Sequence, residues 1–71
     1  MANVELTKVE QRRNGQLLFS VRVQTTAGRM ELPTAIEDQG SSALNEAAVL
    51  RSTLTFAEEL AATVRSKLGG G

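Results

Sequence analysis

The chain has 71 residues, with eight lysines and arginines against eight aspartates and glutamates, and it has no cysteine or histidine. This length predicts one small domain over residues 1–71, whose core stabilises the fold only marginally. Without cysteine there is no disulfide and no thiolate ligand, and without histidine a zinc site would rest on carboxylates alone. We therefore expect no metal and no cofactor.

The two halves of the chain have hydrophobic patterns of different period. Up to residue 32 apolar residues alternate with polar ones, which is typical of a sheet with one buried face; after Gly40 they recur every three or four residues, which is typical of an amphipathic helix. The predicted elements are strands at residues 4–12, 16–25 and 29–32, a connection at 34–41 and a helix at 42–68. The predicted fold is α+β, a three-stranded antiparallel meander followed by one long C-terminal helix on one sheet face. Residues 1–3 and 69–71 are predicted to be mobile tails.

The first strand has an irregular alternation. Val4 and Leu6 share one face, whereas Val9 is out of phase with them. A one-residue β-bulge near Thr7 or Lys8 would bring all three to the apolar face, and we predict one there.

The first turn sets the register of the second strand, which is predicted to be the central one. A three-residue loop at residues 13–15, with Gly15 in the left-handed conformation, keeps one face of the sheet apolar. The alternative two-residue Asn-Gly turn would place Glu10 opposite Phe19. The expected pairs are Val9 with Phe19, Leu6 with Val21, and Val4 with Val23.

The third strand is predicted to be short. Met30 opposite Thr25 and Leu32 opposite Val23 would keep the faces consistent. Pro33 cannot donate to the ladder, so we expect it to end the strand.

The connection at residues 34–41 has two interpretations. Thr34 to Glu37 reads as a capping box, which predicts a short helical turn ended by Gly40, with Ile36 anchoring the crossing to the helix. The alternative is a mobile polar loop. We favour a turn followed by a loose connection.

The C-terminal helix is predicted to begin after a Ser41 or Ser42 cap and to end at Gly69 with a positive φ. A second capping-box pattern at residues 55–58 leaves open a kink near residues 52–55. One continuous helix is favoured, because the apolar stripe predicted to face the sheet stays in phase. Its members are Ala43, Leu50, Leu54, Ala57, Leu60, Ala61, Val64 and Leu68.

A second apolar edge lies beside that stripe and contains Val49, Thr53, Phe56 and Leu60. Either Phe56 folds back and completes the core, or the edge meets a second chain. A continuous helix of about 40 Å is longer than the strands, at about 30 Å, so one end must overhang its sheet. Both features favour self-association.

Catalysis is not expected, because the chain has no histidine, cysteine or tyrosine to supply the usual nucleophile or base. Glu58 and Glu59 are adjacent, but neighbours on a helix point about 100° apart and do not form a facing pair. We therefore predict no catalytic residues and no enzymatic activity.

Nucleic-acid binding is the alternative function, through basic residues on the polar face of the sheet. Glu5, Glu10 and Glu31 on the same face dilute the charge, and no aromatic residue is available for base stacking. The basic residues of this alternative are Lys8, Arg12, Arg22 and Arg29, with Arg13 at the rim.

The function predicted by elimination is a non-enzymatic protein-interaction or assembly module. Its partner would be a second copy of the chain or another protein, and the expected contact residues are Val49, Thr53, Phe56 and Leu60. No stretch approaches the ~20 apolar residues of a membrane span, so a cytoplasmic location without membrane contact is expected.

Overall fold

A computed structural model describes residues 2–69 of the chain. Three antiparallel strands form a sheet in the order β1-β2-β3, and a single helix packs on one face against β3. The elements are β1 (Asn3–Gln11), β2 (Gln16–Thr25), β3 (Gly28–Glu37) and α1 (Ser42–Leu68). The predicted α+β meander followed by one long helix is confirmed.

The N-terminal tail is shorter than predicted, whereas the helix ends at residue 68 as predicted. Asn3 already belongs to β1, and Gly69 follows directly on α1. Met1, Gly70 and Gly71 lie outside the described residues.

The first hairpin has the predicted three-residue loop. Gly15 adopts a φ of 83°, and its N–H donates to the carbonyl of Arg12 over 3.3 Å. The N–H of Arg12 in turn donates to the carbonyl of Gln16 over 2.8 Å. Only glycine takes this left-handed conformation without a steric penalty, so the turn fixes the strand register. The predicted pairs Val4 with Val23 and Leu6 with Val21 are confirmed.

The β-bulge is present, but it lies between Lys8 and Glu10, later than predicted. Lys8 therefore stays in phase with the apolar residues before it and lies opposite Phe19, which corrects the predicted pairing of Val9. Val9 is the extra residue, 59% exposed, and lies beside Leu18 on the other face of the sheet.

The second hairpin closes with a two-residue loop, Thr26 and Ala27. Thr25 lies opposite Gly28, and the Thr25 hydroxyl accepts a hydrogen bond from the N–H of Ala27 over 3.1 Å. This tight turn moves the register by two residues from the predicted one. The observed pairs are Met30 with Val23 and Leu32 with Val21.

The third strand runs through Pro33 to Glu37, so the predictions that Pro33 ends the strand and that residues 34–37 form a helical turn are wrong. A proline is tolerated here because β3 is an edge strand, where a missing donor can face outwards. The extra length places Ile36 opposite Leu17, and Ile36 enters the core at 9% exposure.

The core is small and lies mainly on the sheet. Its half-buried surroundings include Ala48 of the helix. The buried apolar residues among those described are Leu17, Phe19, Val21, Ile36 and Val49. Val49 is the one that α1 contributes, so the helix is anchored through its N-terminal third.

One unbroken helix runs through residues 52–55, so a second helix does not begin there. The hydroxyls of Thr53 and Thr55 donate back to the carbonyls of Val49 and Arg51, over 2.8 and 3.1 Å. These bonds satisfy hydroxyls that would otherwise compete with the helical backbone.

The ends of α1 have different caps. The Ser41 side chain accepts from the N–H of Leu44 over 3.2 Å, as one of the two predicted N-caps. Gly69 has a φ of −77° rather than the predicted positive value, and its N–H donates to the carbonyl of Arg65.

We expect Val49→Ala to lower the free energy of unfolding by about 1.5–3 kcal/mol, because two buried carbons leave a cavity beside the sheet. Val9→Ala is the matched control, since Val9 is exposed, and should change it by no more than about 0.5 kcal/mol. Urea denaturation followed by circular dichroism at one fixed protein concentration measures both. Equal losses for the two variants would contradict this account of the core.

Candidate protein-interaction surface

The helix turns towards the sheet the second apolar edge, which contains Val49, rather than the predicted stripe beside it. Val49 is 0% exposed in the core, and Thr53 is half-buried. Leu50 and Leu54 of the predicted sheet-facing stripe are instead 48% and 59% exposed. Val49 is therefore not available to a partner, because it lies against its own sheet.

A buried asparagine fixes this rotation of α1. Asn45 is 9% exposed and lies one helical turn before Val49, on the same face. Its Oδ1 accepts from the N–H of Gln39 over 2.6 Å, and its Nδ2 donates to Oδ1 of Asp38 over 3.2 Å. A buried amide without these partners would be costly, so the helix is held in the rotation that makes them.

The same contacts replace the loose connection predicted at residues 34–41. Oδ1 of Asp38 accepts from the N–H of Gly40 over 2.9 Å, and the N–H of Asp38 donates to the carbonyl of Gly15 over 3.0 Å. The loop is thus bonded both to the first hairpin and to the helix. We call Asp38, Gln39 and Asn45 the loop clamp.

The hydrogen bonds around the loop clamp also lower the pKa of the Asp38 carboxyl. The hydrogen bond from the backbone of Gly40, then that from the Asn45 side chain, hold the pKa of Asp38 below its ordinary value of 3.8. Lys8 contributes a smaller attraction in the same direction, which agrees with its place on the helix side of the sheet.

Beyond Val49 the helix and the sheet leave an open cleft of about 540 Å³ between them. Its walls come from α1, from the start of β1 and from the second hairpin. Six large apolar side chains that line it are between 42% and 59% exposed. They define the apolar cleft: Val4, Met30, Leu50, Leu54, Phe56 and Leu60.

The predicted contact residues are only partly brought together. Phe56 and Leu60 line the apolar cleft with Thr53, whereas Val49 is in the core. The sequence prediction missed the cleft's sheet wall and the residues that orient the helix. Asn45 offered one signal, because it is a poor helix former spaced four residues from Val49.

The basic residues of the alternative function lie at separate places. Lys8 is on the helix side of the sheet, which corrects its predicted place on the polar face. Arg22 pairs with Glu31 over 3.5 Å. Arg12 and Arg13 adjoin the first hairpin, and Arg29 is near the second, about 26 Å away along β2.

Between residues 2 and 69 the chain has neither a metal-binding cluster nor a membrane-spanning helix. No cluster of three or more acidic side chains in this range is arranged to hold a metal ion. The described helix is also too polar to cross a membrane.

Comparison of the chain with known protein families, with curated proteins and with solved structures finds no match.

The loop clamp predicts a pH dependence of stability. Because the pKa of Asp38 is lower in the folded chain, the carboxylate contributes stability above pH 3.8 that is lost as the pH falls through the folded-state pKa. Asp38→Asn keeps an acceptor oxygen but removes the charge. We expect it to melt below the parent protein at pH 7, with the difference shrinking towards pH 2. A melting-temperature difference that is constant over this range would contradict the assignment.

Proposed function

We propose that this chain is a non-enzymatic protein-interaction or assembly module that associates with itself. The observation that carries the proposal is the apolar cleft, where six large apolar side chains remain exposed around one opening. Soluble monomers rarely leave a contiguous apolar patch of more than a few hundred Å² in water, and larger patches usually mark interaction sites.

The length of α1 supports the same conclusion. Its buried residues are Asn45 and Val49, both in the first third of a 27-residue helix. Helical segments of 12–15 residues are marginal in water unless an apolar face is packed. The C-terminal half of α1 therefore needs more support than its own sheet supplies.

The charge balance is compatible with contact between identical chains. The formal net charge is zero, so two copies approach without long-range repulsion. The absence of histidine, cysteine and tyrosine supports the non-enzymatic part of the proposal.

Nucleic-acid binding is less well supported, because Arg22 is paired with Glu31 and the remaining basic residues are dispersed. Titration of labelled duplex and single-stranded DNA at low salt tests it. Salt-sensitive binding that Arg12→Ala with Arg29→Ala abolishes would favour this function over self-association.

We expect sedimentation at micromolar concentration to give a mass above the 7.6 kDa of one chain. Leu54→Asp should restore the single-chain mass, because it places a carboxylate in the apolar contact without disturbing the core. Ser66→Asp is the matched control, on an exposed polar position of the same helix, and should leave the mass unchanged. A parent protein of 7.6 kDa at every concentration would overturn the proposal.

A further inference from the structure

The exposed side of α1 carries a regular heptad pattern that is separate from its sheet-facing edge. Small and large apolar residues recur along it at spacings of four, three, four, three, four, three and four residues. We call this row the α1 seam: Ala43, Ala47, Leu50, Leu54, Ala57, Ala61, Val64 and Leu68. Ala47 and Ala61 are half-buried and the other six are exposed. A sustained heptad of this kind is the pattern that packs against another helix.

The spacings between residues of the α1 seam are the same when they are counted from either end. Its spacings are symmetric about a point between Thr55 and Phe56, so an antiparallel copy of the helix can meet it in matching layers. Each layer of the contact then pairs one alanine with one larger residue, so the distance between the two helices stays uniform along their length. The layers are Ala43 with Leu68, Ala47 with Val64, Leu50 with Ala61, and Leu54 with Ala57, each taken from opposite copies.

Four of the five charged residues that flank the α1 seam have the same symmetry, and the fifth, Arg65, lies beside Leu44 of the second copy. In this register Arg51 lies beside Glu58 of the second copy, and Glu46 lies beside Lys67 of the second copy. All four side chains are exposed and are free to form these pairs. Charges at such flanking positions set the orientation of paired helices, and here every pair has opposite signs.

From these features we propose that the partner is a second copy of this chain, whose α1 packs antiparallel along the α1 seam about a two-fold axis at residues 55–56. This inference rests on the proposed self-association and adds its surface, orientation and register. An isologous contact of this kind uses the same patch on both copies and closes as a dimer.

A parallel pairing fits the side chains less well. It would place Leu54 against Leu54 and Ala57 against Ala57, so wide and narrow layers would alternate along the contact. Lys67 would also lack its acidic partner. Uniform packing therefore favours the antiparallel arrangement.

The proposed contact also covers the apolar cleft. Leu50, Leu54 and Ala57 belong both to the α1 seam and to the wall of the cleft. A second helix placed on them lies next to Val4 and Met30 of the sheet wall, which removes from water the surface that the isolated chain leaves exposed.

Disulfide trapping tests the register, because the chain has no native cysteine. Mixing Leu50→Cys with Ala61→Cys should give a cross-linked dimer on mild oxidation. Leu50→Cys alone should not, because two copies of residue 50 would lie about 16 Å apart along the axis, beyond the ~7 Å that a disulfide spans. Non-reducing electrophoresis and mass spectrometry measure both, with circular dichroism confirming that the variants fold.

The outcomes separate this inference from the proposed function. A dimer in sedimentation that cross-links through Leu50→Cys alone is parallel and overturns the antiparallel register only. A dimer in which neither combination cross-links uses another surface and overturns the α1 seam as the contact. A parent chain that stays monomeric overturns both proposals.

Charge reversal gives an independent test. Arg51→Glu and Glu58→Arg each place like charges together in their own dimers, whereas a mixture of the two variants forms only opposite pairs between unlike chains. We expect the mixed dimer to be favoured about tenfold at low salt, with the preference lost near 1 M salt. Residues 51 and 58 are two turns apart on one helix and cannot pair within it. Native mass spectrometry showing only the statistical mixture at low salt would overturn the proposed pairing.

Discussion

The rotation of α1 about its own axis decides what this molecule presents to its surroundings. The Asn45 side chain sets that rotation, because both ends of its amide are bonded to the loop before the helix. Val49 follows one turn later and enters the core. With those two residues against the sheet, the face that carries Leu50 and Leu54 has to point away from the core. One buried polar contact thus determines which apolar stripe is left exposed.

Because the core is small, the apolar face that α1 leaves exposed matters for stability. The sheet supplies most of the buried apolar residues, and the helix adds Val49. A domain this small has little excess stability once chain entropy is counted. Burying the remaining apolar surface in a contact between copies would therefore couple folding to association, so that apparent stability depends on protein concentration.

The sequence predicted an element correctly where one of its faces is buried and the other is exposed to solvent. The alternation from Leu17 to Val23 predicted β2, and Gly15 predicted the turn before it. The helix could be predicted as an element but not in its orientation, because two adjacent stripes are apolar and the residue that selects between them, Asn45, is polar. Pro33 was misleading because its effect on a strand depends on whether the strand lies at an edge. A bulge in β1 was expected near Thr7 or Lys8 but lies at Val9, because its position depends on pairing between strands, which periodicity alone does not fix.

Both outer strands of the sheet carry an interruption. Val9 breaks the ladder of β1, and Pro33 removes a donor from β3. Strands with such defects make poor templates for the addition of further strands. Addition of a further strand is therefore disfavoured at both edges of the sheet, which protects a chain with an exposed apolar cleft against growth into fibrils.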